Sequence, residues 1–155
     1  VTVKQLKTEL SNRSNSELIE LCLRLSKFKK ENKELLTYVL FESTFEQGYI
    51  NNVKAEVDEQ FEQINTTTFY FIKKSVRRIL RRIKTYNRYS KNKETEIELL
   101  LYFCKKLGSL KPSIKSSTVL TNIYLRELAS IKKKLGSLHE DLQFDYNMEL
   151  DALNL

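Results

Sequence analysis

Breakers are almost absent from this chain: three glycines and one proline stand in 155 residues. That scarcity excludes a β-sandwich, which needs a turn every few residues, and points to long helices. Cysteine is scarce too. Cys22 and Cys104 are the only two, too few for a disulfide framework. Both sit in apolar helical runs, so each is expected to be a buried, reduced, small hydrophobe. No apolar run approaches the ~18 uninterrupted residues of a membrane span. Residues 1–15 lack the apolar stretch of a signal peptide, and a cytoplasmic location is expected by default. Histidine occurs once, at His139. It stands beside Glu140 and Asp141 with no second histidine, nearby cysteine or glycine-rich phosphate loop, so neither a metal site nor a catalytic cluster is assembled around it. Glu94, Glu96 and Glu98 are complements to a helix dipole first. The Glu-x-x-His motif of carboxylate-bridged metal bundles is missing. No catalytic, cofactor or metal residue is therefore assigned, and no enzyme is expected.

The most informative absence is of acid. Between Glu62 and Glu94 there is none. Residues 64–93 hold ten cations and no anion. Residues 1–63 hold nine against eleven, and 94–155 eight against nine, so this one stretch supplies the whole formal +7. Crowded like charges repel, so the stretch needs a counter-charge from a partner or from the chain itself.

What is present is mostly helical period. The hydrophobic content of 41% and charged content of 30% suit a globular fold with a richly charged surface. A chain of this length can bury a real core as one domain, 1–155, with 138–155 as a possible acidic C-terminal helix or tail. Thr2 with Gln5, Ser14 with Glu17 and Ser137 with Glu140 have capping-box spacing. Residues 35–45 (Leu35, Leu36, Tyr38, Val39, Leu40, Phe41, Phe45) and 97–107 are apolar all round. Such helices are expected at the buried centre of a bundle. Gly48 is placed as a left-handed C-cap, followed by a helix capped by Asn51 or Asn52. Asn92 and Ser116 or Ser117 are further helix starts. The repeated KKLGSL at 105–110 and 133–138 reads as two helix ends, with lysines on the dipole and glycine in the left-handed position. The fold class is all-α: about six to seven mostly antiparallel helices, either an irregular bundle or a short HEAT/armadillo-like stack.

The acid-free stretch reads as one long helix from about Thr67 to Tyr89, roughly 35 Å long. On a helical wheel Lys73, Lys74, Arg77, Arg78, Arg81, Arg82, Lys84 and Arg88 fill about half the circumference, and Phe69, Ile72, Val76, Ile79, Leu80, Ile83 and Tyr86 take the other side. The ladders Lys73–Arg77–Arg81 and Lys74–Arg78–Arg82 repeat every four residues, and each like pair costs a few tenths of a kcal/mol without counter-charge. Arginine forks suit phosphate or carboxylate. The leading expectation is that the basic segment 73–93 clamps an acidic partner, nucleic acid first and an acidic protein second. The contact would be with backbone, because no base-reading motif accompanies the patch. Tyr70, Phe71 and Tyr89 lie at the ends of the cationic arc, where bases of a single strand can stack. The competing expectation is a helical scaffold or protein-interaction module. There the stripe is neutralised by Glu56, Asp58, Glu59 and Glu62, by the 94–98 acids, by the acidic tail, or by another subunit of a homo-oligomer. A membrane-surface helix requires a free apolar side, which the core is expected to claim.

Overall fold

The computed structural model describes residues 1–153, and these are all-α, with eight α-helices and no strand. The helices are α1 (Val3–Ser11), α2 (Asn15–Phe28), α3 (Lys30–Thr37), α4 (Glu46–Glu62), α5 (Phe69–Ser90), α6 (Lys93–Gly108), α7 (Thr118–Leu135) and α8 (Glu140–Asp151). They fall into two compact units, Val1–Ser43 and Thr44–Leu155. None of the described helices is long and apolar enough to cross a membrane.

In the first unit the local start signals work as the sequence expects. Thr2 and Gln5 form a full capping box, as do Ser14 and Glu17. Each box satisfies two backbone donors that a helix start leaves unpaired. The hydrogen bonds from Ser14 hold the Glu17 carboxyl below the usual carboxylate range. α2 and α3 pair across a single-residue break at Lys29, where the Asn32 amide donates to the Leu25 carbonyl at 2.8 Å. Yet α1, α2 and α3 bury no side chain. Ile19 is 60% exposed and Phe28 78%.

The all-round apolar run at 35–45 is a correction to the sequence expectation. Tyr38 is buried, but Leu35, Val39, Leu40, Phe41 and Phe45 are exposed. The α-helix stops at Thr37, and Tyr38–Glu42 forms a π-helical turn, with the Ser43 N–H donating to the Tyr38 carbonyl at 2.8 Å. A π-turn rotates less per residue, so the 3.6-residue wheel no longer says which side chains share a face. Burial of an all-round apolar helix also needs neighbours on every side, which a 43-residue unit of three short helices does not supply. Cys22 is likewise exposed, contrary to expectation, because it belongs to α2.

The second unit is a bundle built around α6, whose Ile97, Leu99, Leu100, Leu101, Phe103, Cys104 and Leu107 are all at most 1% exposed. Here the all-round apolar pattern does mark the centre, since α4, α5 and α7 all pack on α6. Burial, with the Glu127 carboxylate nearby, pushes the Cys104 thiol up to about 12. Lys54–Glu98 at 2.9 Å and Lys106–Asp58 at 2.8 Å tie α4 to α6 in the same direction. Tyr49 and Glu46 meet Tyr86 and Ser90, so α4 and α5 run antiparallel. Lys134–Glu96 at 3.5 Å and the approach of Gly108 to Tyr124 make α6 and α7 antiparallel. α8 joins α6 through Lys105–Glu149 at 3.5 Å and through Tyr146, which donates to Glu94 at 3.2 Å. Burial, with Glu94 and Glu98 beside it, raises the Tyr146 hydroxyl well above its ordinary value.

Several expected helix signals resolve differently. Gly48 lies inside the first turn of α4, not at a C-cap, and Asn51 and Asn52 lie further along the same helix. A Cβ at Gly48 would run into the Phe45 ring. No described glycine has a positive φ; Gly108 ends α6, and Gly136 caps α7 in right-handed geometry. The left-handed residue is Lys91, φ 53°, which closes α5. Ser137 donates to the Lys134 carbonyl instead of capping α8, and His139 takes the N-cap, accepting from the Asp141 N–H at 3.2 Å. Asn92 and Ser117 cap α6 and α7 as expected.

Candidate polyanion-binding face

α5 is amphipathic by sequence, and the bundle sorts its two sides. Ile72, Val76 and Ile79 are fully buried, and Leu80 and Ile83 nearly so. This buried stripe fixes the rotation of the helix and turns the opposite, cationic arc outward. Lys74, Arg77, Arg78, Arg81, Lys84 and Arg88 are exposed, and Lys73 and Arg82 half-buried. All eight belong to one continuous helix of 22 residues.

The eight do not share one fate. Arg82 approaches Glu56 at 4.0 Å, and its guanidinium lies over the Tyr86 ring, 4.4 Å from the centroid. Lys84 reaches across to α7 and bonds Glu127 Oε1 at 3.0 Å. The Glu127 side chain is 2% exposed, and its Oε2 has no hydrogen-bond partner among the described residues. Arg126 Nε also approaches Oε1, at 3.8 Å. Lys84 is therefore the chief counter-ion of a buried carboxylate. The remaining six, Lys73, Lys74, Arg77, Arg78, Arg81 and Arg88, have no carboxylate within 4 Å among the described residues.

Four of the other acids that the sequence offers for neutralisation are engaged elsewhere. Asp58 holds Lys106 and accepts from the Tyr102 hydroxyl. Burial alone would raise the Asp58 carboxyl, but the hydrogen bonds from Lys106 and Tyr102 outweigh it and hold it below its ordinary value. Burial and the Asp58 carboxylate push Tyr102 up to about 12. Glu96 pairs with Lys134, Glu98 with Lys54 and Glu149 with Lys105.

Tyr70, Lys73, Lys74, Arg77 and Arg81 together line an open depression of about 440 Å³, with no acid in its walls. The five lie at successive i, i+3, i+4, i+7 and i+11 positions, one stripe of one helix. Tyr70 is 66% exposed and Phe71 43%. Their rings meet edge to face, centroids 5.4 Å apart at 75°. Tyr89 differs: it packs edge-on against Tyr86, centroids 6.1 Å apart. The sequence groups these three aromatics, and the structure places only Tyr70 in the cationic depression. Missed altogether was the claim of Glu127 on Lys84. Glu127 is an isolated acid in an apolar α7 pattern, and that polar residue on a core face was the available signal.

His139 is exposed at the N-cap of α8, 3.6 Å from the Asp141 carboxylate. Among the described residues no group of three or more His, Cys, Asp or Glu side chains is placed to hold a metal ion. Comparison with protein-family models, with curated proteins and with solved structures finds no match for this chain.

Proposed function

We propose that the protein is a non-enzymatic helical module that binds an acidic partner through the exposed face of α5, with nucleic acid the leading candidate. The observation that carries this is the set of six cations with no carboxylate within reach, four of which, together with Tyr70, wall a depression free of acid. Lys73, Lys74, Arg77, Arg78, Arg81 and Arg88 act as the electrostatic clamp, Arg82 contributes while sharing Glu56, and Lys84 is chiefly structural. Contact is with phosphates, since nothing on the face supplies a code for base edges.

The second reading is a scaffold or protein-interaction domain whose stripe is covered by an acidic protein or another subunit of the same chain. It is favoured by the internal pairing of Arg82 and Lys84, which shows that α5 cations also serve the bundle.

Titration of binding to labelled oligonucleotides against salt separates the two. Four to six phosphate contacts give a slope of log K against log salt of about −3 to −5. The Arg77→Glu/Arg78→Glu/Arg81→Glu variant, which leaves the partners of Glu56 and Glu127 in place, is expected to stay folded by circular dichroism and to lose binding. Absence of binding at low salt removes nucleic acid and leaves the scaffold reading.

A further inference from the structure

We propose that the ligand of this face is a single strand of nucleic acid, with one base stacked on Tyr70 and the following phosphates carried along Lys73, Lys74, Arg77 and Arg81. This rests on the polyanion reading and goes beyond it. Phosphate contact alone explains the cations but not the aromatic among them. An exposed ring at the head of a cationic stripe gains little from phosphates, whereas a base offers it a π-face. Phe71 meets Tyr70 edge to face, so a second aromatic ring flanks it at the head of the stripe.

A paired duplex would meet the cations but leave Tyr70 without a base to stack on, because its bases are held inside the stack. The lipid-surface alternative fails on burial. The apolar side that would insert is Ile72, Val76, Ile79, Leu80 and Ile83, none more than 6% exposed.

Geometry also sets the footprint. From Tyr70 to Arg81 is roughly 16 Å along the helix. That spans about five nucleotides at the rise of a duplex strand and fewer if the strand is extended. Arg88 lies five turns from Tyr70 on the same stripe, extending the track to roughly 27 Å.

The test is fluorescence anisotropy with an eight-nucleotide oligo-dT, a blunt duplex of sufficient length to remain paired, and inorganic polyphosphate as competitor. It is run on the full chain and on Tyr70→Ala, Tyr70→Phe and Arg77→Glu/Arg81→Glu, each checked by circular dichroism. Tyr70→Ala is expected to weaken oligo-dT binding by about 5- to 100-fold. It should leave duplex binding and polyphosphate competition unchanged, and Tyr70→Phe should restore the affinity. The double charge reversal should abolish binding to all three polyanions. Equal affinity for strand and duplex, insensitive to Tyr70→Ala but lost on charge reversal, would overturn the single-strand inference while leaving the clamp intact. No polyanion binding at low salt would overturn both. Tyr70-dependent binding to vesicles of anionic phospholipid, with none to oligo-dT, would replace the strand with a lipid surface.

Discussion

Lys84 and Glu127 show what a helical wheel leaves out about one charge. By position Lys84 belongs with the clamp; by contact it is the counter-ion of a carboxylate that is 2% exposed. Removing one partner of such a pair leaves a buried charge uncompensated, which costs more than the pair itself contributes. Lys84 is itself half-exposed and Arg126 stands by, so the cost is moderated. Lys84→Ala is expected to destabilise by about 1–3 kcal/mol. Glu127→Gln in the same background should recover most of that loss in urea unfolding. Arg78→Ala, on the same helix but with no carboxylate within reach, should change stability by less than about 0.5 kcal/mol. Equal effects of Lys84→Ala and Arg78→Ala would refute the assignment. The arginines proposed to bind and the lysine that pairs with Glu127 look alike in sequence, because Glu127 lies 43 residues from Lys84.

At the scale of elements, two apolar segments of similar appearance diverge. α6 is enclosed, with Ile97 and Leu107 fully buried, whereas Ile19 in α2 and Phe41 after α3 are mostly in solvent. Hydrophobic stabilisation follows area removed from water, not hydropathy of the residue. Ile97→Ala should therefore cost about 2–5 kcal/mol through the cavity it leaves. Ile19→Ala should stay within about 0.5 kcal/mol, as for other exposed sites. Urea midpoints at matched slope check both. A cost at Ile19 comparable to that at Ile97 would mean that α2 is packed in solution. α5 is the element whose outcome followed most directly from its sequence: its two sides differ so sharply in polarity that only one rotation buries the aliphatic residues without burying arginine.

For the whole molecule, the decisive fact is the distribution of core. Apart from Tyr38, every buried apolar residue among those described lies in the unit Thr44–Leu155. Domain stability tracks buried core. A fragment spanning 44–155 is therefore expected to unfold cooperatively, at the urea midpoint of the full chain, with a slope close to that of the full chain. A fragment without a cooperative transition would instead support a single domain over 1–155. The same fragment contains all of α5, so it should keep full oligonucleotide affinity.

What the sequence determined by itself was local. The capping boxes at Thr2 and Ser14, the caps at Asn92 and Ser117, the all-α class and the two-sided character of α5 depend on residues within a few positions of one another. Helix starts and amphipathic stripes are set at that range. Tertiary structure decided which apolar run became the centre, which serine lost its cap to His139, and which cations kept no carboxylate within 4 Å. Burial and charge pairing depend on neighbours far away in the chain, and local periodicity holds no record of them.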